Sequence, residues 1–150
     1  MNPSVPELLV GALMTISEPP PPESAGEFAG GRIGVIGMIS FLAAQEVESG
    51  IAVRVAESRS LRALFADAAR EAWAPALTST LTGLAAGTDD DLTLTGVDRA
   101  NGILRSALIE LQSAVEADPA PAGRARELRI ARLLLDHARA RALMLPGQPR

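Results

Sequence analysis

Very few side chains in this sequence could carry proton or group-transfer chemistry, and most of what remains converges on one residue. His137 is the single histidine of 150 residues; Cys and Tyr are absent, and all fourteen basic residues are arginine. Without Lys there is no Walker-type phosphate loop, Schiff base or lysine general base. Without Cys there is no thiolate nucleophile, disulfide frame or thiolate metal site. Any acid–base, metal or phosphoryl-transfer activity therefore has to pass through His137, the one group that titrates near neutral pH in its unperturbed state.

Each chemistry open to His137 lacks a second component. Di-metal bundles use two Glu-x-x-His motifs, but there is one His, and the position three residues before it is Leu134. Ser-His-acid catalysis has no Gly-x-Ser-x-Gly elbow to present a serine. A helix carrying Asp136-His137-Ala138-Arg139-Ala140-Arg141 could accept a phosphoryl group, although the residues that follow match no phosphotransfer motif. Phosphotransfer through His137 stays as an alternative beside a plain surface or interface histidine.

Other spacings fail on inspection. Gly31 to Gly37 suggests a dinucleotide loop, but the Gly-x-Gly-x-x-Gly frame reads Arg32, Gly34, Gly37 and no strand precedes it; Gly34 and Gly37 instead fit close approach of another helix. Asp89-Asp90-Asp91 resembles a calcium loop whose sixth position is Leu94 instead of Gly and whose twelfth is Ala100 instead of Glu. Glu46 and Glu48 point about 160° apart on a helix and cannot share a substrate. Asn101 lies on an apolar helical stripe between Asp98 and Arg105, where a buried amide fixes register or oligomeric state, or serves as the polar handle of a small-molecule pocket. Gly34, Gly37, Asn101, His137 and Arg141 are thus the candidates for interface or ligand contacts. No catalytic, cofactor-binding or metal-binding residue is assigned, and no cofactor is expected.

The elements that would position these residues are helices. The composition is 47% hydrophobic yet 3% aromatic, dominated by Ala and Leu, which favours an all-α fold. Ser4-Val5-Pro6-Glu7 has capping-box spacing and opens a helix from Val5 to Ile16. The Pro19–Pro22 run and a linker as far as Gly30-Gly31 then separate an N-terminal arm, 1–30, from a bundle, 31–150, within one domain. A long central helix runs from Arg32 to Glu57; its first half is apolar all round, as in a bundle centre or subunit interface. Ser58 or Ser60 caps the next helix, through Trp73. Pro75 opens a shorter one to Ala86, and Thr88–Leu94 is an acidic loop. Thr95-Gly96-Val97-Asp98 opens a helix to Ala117 whose stripe is Val97, Asn101, Leu104, Leu108, Leu111 and Val115. The last helix, Ala122 to Leu145, folds back as an antiparallel hairpin, because only Pro119–Pro121 link the two. Its main apolar face is read as Leu128, Ala131, Leu135, Ala138 and Ala142, with His137, Ile130, Leu133, Arg141 and Met144 opposite. Five to six helices result.

The net charge of −4 and the scatter of arginines around the last helix, without interleaved aromatics, argue against nucleic acid. No stretch is expected to reach the ~18–20 apolar residues of a membrane span, the longest candidate being Ile33 to Ala44, and no basic signal segment is expected to lead the chain. The expectation is a non-enzymatic, cytoplasmic, bacterial-type protein, a homodimer acting as an interaction or accessory module with an unidentified protein partner.

Overall fold

The computed structural model describes residues 3–18, 25–118 and 121–145; the Pro19–Pro22 run and most of the Pro119–Pro121 link lie outside these. The fold is all-α. The described residues form five helices: α1 (Val5–Ser17), α2 (Ala25–Ala68), α3 (Pro75–Ala85), α4 (Leu94–Glu116) and α5 (Pro121–Ala140). The chain divides into two compact units, 1–50 with 141–150, and 51–140, and the division falls inside α2 after Gly50.

In the first unit, Ser4 opens α1 as its spacing predicts. Glu7 turns back so that Oε2 accepts from the Ser4 amide at 2.7 Å and from Ser4 Oγ at 2.9 Å. Those bonds favour the charged carboxylate and hold Glu7 below its ordinary pKa. Arg32 Nε donates to the Thr15 carbonyl near the end of α1 at 2.5 Å. Gln45 clamps the segment after α5, donating from Nε2 to the Met144 carbonyl at 2.9 Å and accepting from the Met144 amide at Oε1 at 2.8 Å.

α2 is the long helix, but it extends beyond its expected bounds at both ends. It begins at Ala25, so Gly30 and Gly31 are helical and not linker. It also runs through Ser58 and Ser60, which cap nothing. Ser60 Oγ returns its proton to the Glu57 carbonyl at 2.8 Å, and no Pro interrupts the chain until Pro75. α2 ends in a tight turn at 69–71, where Trp73 Nε1 satisfies the Ala68 carbonyl at 2.8 Å.

The core of the second unit gathers Leu61, Leu64, Phe65 and Ala68 of α2, Leu81 of α3, Leu104, Ala107, Leu108, Leu111 and Val115 of α4, and Ile130 of α5. α4 is capped by Thr93 and not by Thr95: Thr93 Oγ1 accepts from the Gly96 amide at 3.1 Å. Asp91 in turn accepts from the Thr93 amide and hydroxyl at 3.0 and 2.7 Å. Gly96 is required there, since a Cβ would fall 2.2 Å from Asp91 Cγ. α5 ends at Ala140, five residues before the expected Leu145, and packs against α4 as the expected hairpin. Its core face is the opposite of the one expected. Ile130 and His137 are buried, while Leu128, Ala131, Leu135 and Ala138 stand exposed. Both stripes are apolar, so hydrophobic periodicity alone could not choose between them.

Candidate functional site

The buried stripe of α2 in the second unit changes character along its length. Leu61, Phe65 and Ala68 are apolar, but one turn earlier the same face presents Arg54, Glu57 and Ser58, each buried. Burying these groups is costly unless each finds a partner, and α4 supplies one for each. Arg54 Nε lies 2.5 Å from Asp98 Oδ1, Arg105 Nη2 lies 3.3 Å from Glu57 Oε2, and Asn101 Nδ2 reaches Ser58 Oγ at 3.5 Å. The pairing 54 with 98 and 58 with 101 makes α2 and α4 run in the same direction here. The layer is electrically neutral, with two arginines against two carboxylates.

α5 closes the layer from the other side. His137, 7% exposed, brings Nε2 within 2.6 Å of Ser60 Oγ. Ser60 Oγ also contacts the Glu57 carbonyl at 2.8 Å, and the tautomer of the ring sets which of Oγ and Nε2 is the donor. The same contact engages Nε2 within a buried setting, away from a phosphodonor.

The remaining candidates fall in different places. Asn101 is 2% exposed on the α4 stripe, where its spacing puts it. Gly34 and Gly37 sit in the first half of α2 with open space within 4 Å of where a Cβ would be, so no helix among the described residues packs on them. Arg141 follows α5, half-buried, in the other unit. Among the described residues no group of three or more His, Asp or Glu is placed to hold a metal ion. The acidic loop has a structural partner instead: Arg62 grips Asp89 with Nη1 and Nη2 at 2.7 and 2.6 Å. That fork is mostly buried, and the hydrogen bonds push the Asp89 pKa down and the Arg62 pKa up.

Hollows among the described residues of the second unit include the following two. A cavity of about 20 Å³, the size of one water, is lined by residues that include Trp73, Leu111, Ile130 and Arg126, whose guanidinium lies 5.2 Å from the Trp73 ring centre. Arg126 also pairs with Asp118 at 2.8 Å and with Glu71. An open groove of about 510 Å³ runs between α3 and α4 past Thr80, Gly83, Ile103 and Glu110. Neither hollow is lined by Asn101 or His137.

Sequence reasoning missed Arg54, Glu57, Ser58 and Ser60 as members of the buried layer, because the serines read as helix caps. The available signal was spacing: 54, 58, 61, 65 and 68 continue one helical stripe in steps of four and three. Comparison of the chain with protein-family models, with curated proteins and with solved structures finds no match.

Proposed function

We propose that the chain is a non-enzymatic helical module that acts by associating with protein, first of all with a second copy of itself. The observation that carries this reading is the apolar surface left uncovered. In α1, Leu9, Val10, Leu13 and Met14 are 56–68% exposed; in the first half of α2, Ile33, Val35, Met38, Phe41 and Val47 are 38–71% exposed. α5 adds Leu128, Leu134 and Leu135 at 40–53%. Single exposed apolar residues are ordinary, but runs of them along successive helical turns are the mark of an interaction surface.

Part of α2, 29–68, is long and apolar enough to cross a membrane by length and composition alone. Its uncharged stretch between Arg32 and Glu46 spans only about 20 Å at 1.5 Å per residue, short of the ~30 Å hydrocarbon core, which favours a protein partner over a bilayer. The reading goes with a cytoplasmic location, which cell fractionation tests. The burial of His137 against Ser60 supports the non-enzymatic side of the reading, and no observation favours phosphoryl transfer at His137 or a ligand pocket at Asn101. Sedimentation equilibrium of the intact chain is the direct test: a dimer at micromolar concentration is expected, and a stable monomer overturns the proposal.

A further inference from the structure

The outer stripe of α5 has the pattern of a two-stranded coiled-coil seam. Leu128, Ala131, Leu135 and Ala138 recur at alternating steps of three and four, the a and d positions of a heptad, and all four are exposed. Glu127 and Arg132 flank this seam at g and e. Arg132 has no ion-pair partner among the described residues, and Glu127 meets only Arg124 of its own helix in a solvent-exposed contact.

We infer that this face docks the same face of a second copy, with the two α5 helices parallel. The inference rests on the reading that the chain self-associates and names the surface and direction. The flanking charges at g and e favour the parallel direction, outweighing the one like-charge approach it brings, that of the exposed Arg124 to its own counterpart at the end of the seam. In a parallel pair, g of one helix faces e of the other one heptad on, so Glu127 meets Arg132 of the partner copy twice about the two-fold axis. In an antiparallel pair e faces e, which sets Arg132 and Arg139 against the same arginines of the other copy with no carboxylate between them. Packing on α4 already holds α5 helical, so pairing does not bear the nucleation cost that makes a short isolated coiled coil unstable.

The absence of Cys permits a clean test. Ala131→Cys, at a d position, faces its own counterpart only in the parallel arrangement. Mild oxidation of the full-length A131C protein is expected to give a covalent dimer. Separately, Glu127→Arg and Arg132→Glu should each raise the dimer dissociation constant about tenfold, as loss of two exposed ion pairs plus new like-charge contacts implies, and the double swap should restore it. All three positions are at the surface, and circular dichroism checks that each variant folds. A dimer that persists while A131C stays uncrosslinked, or that ignores both charge reversals, overturns the seam and leaves self-association standing through another face or in antiparallel form. A chain that is monomeric before any substitution overturns both.

Discussion

His137 and Asn101 are the two residues on which sequence reading and structure meet most directly, with different outcomes. The burial of Asn101 was legible because its neighbours on α4, Val97, Leu104 and Leu108, define one stripe without ambiguity. His137 was read on the outer side of the last helix because α5 carries apolar residues on two stripes, and only the α4 contact decides which is inside. Through its contact with Ser60 Oγ, His137 has a structural role that can be measured. Ser60→Ala removes this part-buried hydroxyl and should lower unfolding stability by about 1–2 kcal/mol; an unchanged thermal midpoint would contradict the bond. Asp89 tests charge in the same way. Its pKa is lowered in the folded protein, chiefly by the Arg62 hydrogen bonds, so the unfolded state binds protons first as pH falls. The stabilisation is complete above the ordinary carboxylate pKa and is lost below about pH 4 as the folded pKa is crossed. Asp89→Asn should flatten that acid limb and lower stability at neutral pH by about 2 kcal/mol, because it leaves the largely buried Arg62 without its charged partner. Urea unfolding at several pH values reads both effects.

At the scale of the helices, the element types were legible and their limits were not. Capping-box spacing located α1, because Ser4 and Glu7 do close on each other. The same spacing at Thr95 misplaced the start of α4 by two residues, because Asp91 orients Thr93 for that task and leaves Asp98 free for Arg54. The break expected at Ser58 does not occur, since neither serine is needed as a cap. Two glycines make opposite predictions. A Cβ on Gly123 would lie 2.4 Å from the Asp118 carbonyl oxygen, so this glycine permits the close turn into α5. Gly123→Ala should destabilise by about 1–3 kcal/mol. Gly37 is mid-helix with nothing within 4 Å, so Gly37→Ala should stabilise by up to about 1 kcal/mol through helix propensity alone. Thermal melts of the two variants moving in the same direction would contradict this account of α2 and the hairpin.

For the molecule as a whole, a residue inventory poor in Lys, Cys, Tyr and His goes with a structure in which arginines pair with carboxylates between elements. Arg54 with Asp98, Glu57 with Arg105, and Arg62 with Asp89 hold helices and a loop in place. The all-helical class was legible because Ala and Leu dominate and Pro marks most of the breaks. Which apolar face meets the core and which stays exposed was not, because both kinds of face obey the same periodicity. At α5 this ambiguity underlies the proposal that the second apolar stripe is a surface for another copy. Sedimentation equilibrium of the wild-type chain beside the Glu127→Arg, Arg132→Glu and doubly reversed variants tests it most directly. A wild-type dimer is expected, with weakening by about tenfold in each single variant and recovery in the double variant. A wild-type monomer, or a dimer indifferent to all three, would contradict it.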